Sequence, residues 1–86
     1  MSEVYPEQDY LKMIVDGIAE KPEAVKIERR VDDMGVLYTV SVADEDIAKV
    51  IGKEGKTAKA IRLLLKTVGY KYHVRASMKV DIPEKK

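Results

Sequence analysis

Gly52 and Gly55 sit three residues apart between two apolar, helix-prone segments, in the stretch that runs from Val50 to Arg62. Lys53 lies between them and Lys56 follows directly. A residue without Cβ tolerates backbone angles closed to others and lets a second backbone approach closely. One glycine would suffice for a tight interhelical turn. A pair flanked by lysines fits a visitor that carries phosphates.

The distribution of charge supports such a visitor. The net charge is only +1, but residues 49–75 hold eight basic side chains and one acid, a net of +7. The remainder holds eight basic and fourteen acidic side chains, a net of −6. That polarity within one small chain predicts a positive face for a polyanion and a negative remainder that limits unspecific sticking.

With 86 residues the chain has room for one small domain and no more. Its core is expected over about residues 6–80, with 1–5 and 81–86 as frayed tails. A content of 45% hydrophobic and 36% charged residues argues for a folded globule over a disordered segment. The absence of cysteine removes disulfides and thiolate zinc sites and fits a reducing interior. The first residues have neither the basic start nor the apolar run of a signal peptide. No apolar stretch approaches the roughly 20 residues of a membrane span. A soluble cytoplasmic protein without membrane contact is the expectation.

Periodicity predicts the order αββααβ. The first helix is expected from about Pro6 to Glu20. Pro6 suits its first position, Glu7 and Asp9 suit its positive end, and Tyr10, Leu11, Ile14 and Ile18 form an apolar stripe. Lys21-Pro22 ends it. Val25, Ile27, Arg29 and Val31 alternate with charged residues in a first strand. After the turn Asp32-Asp33-Met34-Gly35, Val36, Tyr38, Val40 and Val42 mark a second strand. Asp44 is the expected N-cap of a short helix over Glu45–Ile51. A third helix is expected over Lys56–Val68, with Ala58, Ile61, Leu64 or Leu65, and Val68 inward and Gly69 as its cap. The last strand is expected over Tyr72–Val80. Three helices on one face of a three-stranded mixed sheet make an α+β, two-layer domain.

The bend leads into the third helix, whose first amides and dipole favour an anion. Lys53 and Lys56 add charge at phosphate oxygens, and Lys59, Arg62 and Lys66, spaced three and four apart, extend the track. Ile47, Val50, Ile51, Ala58 and Ile61 are expected to form an apolar floor for bases, with Arg75 at its rim. Any sequence preference must come from that floor, because phosphate contacts carry none. Glu54 repels phosphate; it either points to solvent or pairs with a neighbouring lysine, and it argues for modest affinity.

Other chemistries fit poorly. Gly55-Lys56-Thr57 imitates the end of a Walker A loop, but Val50 stands where its first glycine belongs, and a helix precedes the segment where a P-loop needs a strand. His73 is the sole histidine and has no obvious metal co-ligands or cysteine nucleophile, so it reads as a polar strand residue. Asp44, Glu45 and Asp46 are explained by helix capping and dipole. Tyr70 and Tyr72 have rings able to stack on bases but read as packing residues at a strand end. No enzyme, metal site or cofactor is expected.

The segments Leu11–Val25, Ser41–Gly55 and Ala58–Arg62, with the Gly52-Lys53-Glu54-Gly55 loop at their centre, resemble the small stand-alone bacterial KH proteins of the KhpA family. The element order is similar to the type II KH arrangement. The resemblance implies that this GxxG loop, Gly52 to Gly55, with Ile51 and Lys56 flanking it, clamps about four nucleotides of single-stranded RNA. It also implies a non-enzymatic, cytoplasmic RNA chaperone that forms homodimers or pairs with a second KH protein, KhpB, in some bacteria with a link to cell shape. An alternative is that pairing is the main task and RNA binding secondary.

Overall fold

A computed structural model describes residues 5–83. Three helices, α1 (Pro6–Ile18), α2 (Asp44–Ile51) and α3 (Lys56–Lys71), cover one face of a sheet of β1 (Lys26–Asp32), β2 (Gly35–Ser41) and β3 (Ala76–Val80). β1 runs antiparallel to β2, from Lys26 opposite Ser41 to Asp32 opposite Gly35. β3 lies parallel to β2 on its other side, from Val36 beside Ala76 to Val40 beside Val80. A parallel neighbour requires a crossover, and α2, α3 and the bend between them supply it. The αββααβ order and the α+β class are as the sequence predicts.

The helix-facing residues of β2 and β3, Val36, Tyr38, Val40, Ala76 and Met78, pack beneath Leu11 and Val15 of α1, Val50 of α2, and Ala58, Ile61 and Leu65 of α3. The register follows the two-residue period: shifting either strand by one would bury its polar set. Leu65, not Leu64, completes the α3 stripe. Val15 is a core residue that the expected α1 stripe lacks, and Tyr10 lies on the rim of that stripe, partly in water. Val31, near the end of the edge strand β1, is exposed.

Two acids expected only to favour helix dipoles are buried instead. Tyr38 donates its hydroxyl to Glu7 Oε2 at 2.6 Å, and Arg29 Nε donates to the Tyr38 oxygen at 3.3 Å. The Arg29 guanidinium in turn lies 3.8 Å over the Tyr5 ring, so the start of α1 is fastened to the sheet. Asp46 accepts the backbone amides of Glu20 and Lys21 at 3.1 and 3.0 Å, tying the exit of α1 to the first turn of α2. Lys21 also pairs with Glu45, and Lys49 with Glu20 at 3.1 Å, so four charges on the surface repeat the same connection. The N-cap of α2 is Ala43, with Asp44 already helical. The Asp44 side chain makes no cap bond, and Asp46 takes the structural part instead.

The end of α3 differs from expectation. Gly69 does not stop the helix; it is buried, and a Cβ there would lie 2.5 Å from the Val74 carbonyl oxygen. The helix continues to Lys71, then closes with Val74 N–H on the Gly69 carbonyl (2.8 Å) and His73 N–H on the Tyr70 carbonyl (3.2 Å). That is a Schellman motif with His73 in the left-handed position at φ 61°. Tyr72 to Arg75 are therefore turn and approach, and β3 begins only at Ala76. α1 likewise ends at Ile18, two residues before the expected Glu20. The expected tails 1–5 and 81–86 lie largely outside the described residues; within them, Asp81 N–H is held by the Val40 carbonyl at 2.8 Å.

Candidate nucleic-acid interface

α2 is amphipathic, with Val50 inward and Ile47 and Ile51 half-exposed on its flank. Its last amide bond runs from Gly52 N–H to the Ala48 carbonyl at 2.8 Å, and the chain then turns abruptly. Gly52 has φ 79° and ψ 173°, a region open essentially to glycine alone. The turn Lys53–Gly55 closes with Gly55 N–H on the Gly52 carbonyl at 3.1 Å. Glu54 (φ 58°) and Gly55 (φ 74°) are both left-handed, which delivers the backbone into α3 at Lys56.

The two glycines differ in what they require. A Cβ on Gly52 would collide with Thr57, whereas one on Gly55 would meet nothing within 4 Å. Gly52 is thus needed for both space and angle, and Gly55 for angle alone. The open space beside Gly55, at the N-terminus of a 16-residue helix, is where an anion would be favoured.

Lys53 and Lys56 project from the bend into solvent. Glu54 is exposed too, and its carboxylate lies 3.8 Å from Lys56 Nζ, so the pairing alternative holds. Beside the bend is an open groove of about 520 Å³ lined by Asp44, Ile47, Ala48, Ile51, Gly52, Ile82 and Pro83. Ile47 and Ile51 are its apolar floor from α2, and Ile82 and Pro83 close it from beyond β3. Sequence reasoning missed those two because they fall in the segment read as a tail; an apolar pair after a strand was the available signal.

Three residues expected on that floor are elsewhere. Val50 has no exposed surface, and Ala58 and Ile61 retain 3% and 2%, because all three face the sheet as the centre of the core. They shape the groove only by positioning its helices. Arg62 is partly engaged already: its Nε donates to the Met78 carbonyl on β3 at 3.0 Å. Arg75 and Asp81 direct backbone groups at β2, so the alternation of the strand turns the Met78 carbonyl to the free edge of the sheet. Lys59 is exposed on the first half of α3. Lys66 and Arg75 are not near the bend; both line a cavity at the opposite end of α3, so Arg75 does not rim the groove. His73 belongs to the Schellman turn and not to a strand face.

Among the described residues there is no group of three His, Cys, Asp or Glu side chains able to hold a metal ion, and no helix is long and apolar enough to cross a membrane. The bend presents backbone amides and lysine ammonium groups to solvent, with a small apolar surface alongside.

Comparison with known proteins agrees with that chemistry. A family described as KhpA/KhpB, KH domain, matches residues 8–82. A protein of Chlamydia pneumoniae named RNA-binding protein KhpA is 40% identical over 73 residues, 85% of this chain and 94% of the relative. A Listeria monocytogenes protein of the same name is 41% identical over 64 residues, covering 74% and 84% respectively. One from Clostridium perfringens is 29% identical over 73 residues, covering 85% and 97%.

Proposed function

The chain belongs to the KhpA/KhpB KH-domain family, and from that premise we propose that it binds single-stranded RNA, holding about four nucleotides at the glycine bend. The observation that carries this reading is the left-handed bend at Gly52 and Gly55, set between two lysines and an open groove floored by Ile47 and Ile51. In this reading the amides at the start of α3 and the ammonium groups of Lys53 and Lys56 take phosphate oxygens. Lys59 and Arg62 continue the positive line, and bases rest on the isoleucine floor. The relatives are named RNA-binding proteins, which supports the same ligand.

The chain acts in this proposal as a cytoplasmic RNA chaperone and not as an enzyme. A grip on four nucleotides is weak, so pairing with a second copy or with a KhpB-like KH protein would double the contact and raise avidity. The test is the double change Lys53→Asp with Glu54→Asp, both exposed positions. We expect a folded protein that no longer retains RNA in a filter or anisotropy assay. For the wild type, log affinity should fall with log salt by about 0.7 for each neutralised phosphate. Unchanged RNA affinity in the double variant would remove the loop from the function.

A further inference from the structure

We propose that the RNA path continues from the glycine bend along α3 to a second base-binding site, where Tyr70 stacks on a flanking nucleotide and Lys66 and Arg75 take its phosphates. The inference rests on the reading above, that a single strand of RNA occupies the bend.

The cavity at the C-terminal end of α3 has a volume of about 650 Å³ and is lined by Lys66, Tyr70 and Arg75, with Met34 and Ser77 alongside. Tyr70 is not the packing residue that its sequence position suggests. It is helical and 65% exposed, so most of its ring is in water. Met34, on the same cavity, is still more exposed. Large apolar surface left in water around a cavity marks a binding site more often than isolated exposed side chains do.

Charge points the same way. Among the described residues, no carboxylate lies within ion-pair distance of Lys66 or Arg75. The acid on this cavity, Asp32, already accepts the Met34 amide at 2.8 Å in the β1–β2 turn. Two cations without a carboxylate partner among the described residues, beside an exposed aromatic ring, suit a nucleotide, whose base has a stacking face and whose backbone carries charge.

The cavity and the bend lie at the two ends of one side of α3. Lys59, Arg62, Lys66 and Tyr70 follow one another at intervals of three and four, so they share one side of α3. From Lys56 to Tyr70 the helix rises about 21 Å. One strand covers that distance with about six nucleotides at the stacked spacing of about 3.4 Å, and with fewer when stretched. The full footprint is then at most about ten nucleotides, against about four for the bend alone. Because every base has a π face, the second site would add length dependence without strong sequence preference.

The test is anisotropy with labelled oligouridylates from about four to about twelve nucleotides, within the usual range of single-strand site sizes. It compares the wild type, Tyr70→Ala, Tyr70→Phe, and the Lys53→Asp/Glu54→Asp loop variant. Tyr70→Ala should bind the shortest oligomer like the wild type and lose about fivefold to a hundredfold on the longest. Tyr70→Phe, which keeps the ring, should restore most of that loss. Equal binding by Tyr70→Ala and wild type at every length overturns the second site, as does an equal loss at every length. A loop variant that binds all lengths normally overturns the bend itself. A weakened loop variant with an unaffected Tyr70→Ala overturns the extension alone.

Discussion

A Cβ on Gly52 would lie 2.2 Å from Thr57 Oγ1 and 2.8 Å from the Thr57 backbone nitrogen, so the bend is pressed directly against the first turn of α3. Gly55 has no such neighbour. Gly52→Ala should therefore lower stability by about 2–4 kcal/mol, from a glycine-only conformation plus a clash with backbone. Gly55→Ala should cost about 1–2 kcal/mol, the left-handed penalty alone. Removing the Thr57 hydroxyl would not rescue Gly52→Ala, since the nitrogen remains. Urea unfolding of Gly52→Ala, Gly55→Ala and the double variant Gly52→Ala/Thr57→Ala checks the order, and equal losses at both glycines would contradict it.

His73 holds the left-handed position of the Schellman turn that closes α3. Its side chain is exposed, so its replacement disturbs little packing. His73→Gly relieves the backbone, partly offset by the greater freedom glycine has when unfolded, for a net gain of about 0.5–1 kcal/mol. For a domain of this size that is a rise in Tm of roughly 2–8 °C by calorimetry. A lower Tm would show that His73 makes contacts the turn depends on.

The Tyr38 hydroxyl is pushed up from 10.0 to about 12, first by burial and then by its hydrogen bond to Glu7. A folded-state value above the unfolded one stabilises the protein fully below pH 10, and this contribution is lost as pH rises through about 12. Tyr38→Phe leaves the buried Glu7 carboxylate without its donor and should cost about 2–3 kcal/mol at neutral pH. The gap between wild type and variant should narrow between pH 10 and 12 in chemical denaturation series. A gap that stays constant over that interval would mean the hydroxyl titrates no differently in the folded chain.

Glu54 holds its carboxylate 3.8 Å from Lys56 Nζ, with both side chains largely exposed. An exposed pair of this kind is worth at most about 1 kcal/mol. Glu54→Gln releases Lys56 and removes a repulsion, so RNA affinity should rise about twofold to fivefold at low salt. The gain should fade as salt screens the charges. Weaker binding by Glu54→Gln would mean the carboxylate itself contacts the ligand.

The architecture was legible because its signals are local and repetitive. The alternation of Val36, Tyr38 and Val40 predicts a half-buried strand, and the order of elements follows from Pro22, the Asp32–Gly35 turn and the glycine pair. Terminations were less legible. A glycine near a helix end has two physical uses, and at Gly69 the need was close approach to Val74, while His73 took the turn. Floor and core were also confused along one stripe: Val50, Ala58 and Ile61 have the same apolar character as Ile47 and Ile51, and only the packing against β2 and β3 separates them. The burial of Glu7 and Asp46 depends on partners 31 and 25 or 26 positions away, beyond any pattern of neighbouring residues.

The Arg62 guanidinium is hydrogen-bonded to the outward carbonyl of Met78, and so occupies one acceptor on the border strand β3 that an added strand would use. An uncovered border strand invites another chain to add itself there. Weak RNA binding after loss of this arginine would therefore have two possible sources, a missing cation and a protein newly prone to stick to its own kind. Its particle size in solution has to be known before the first is credited.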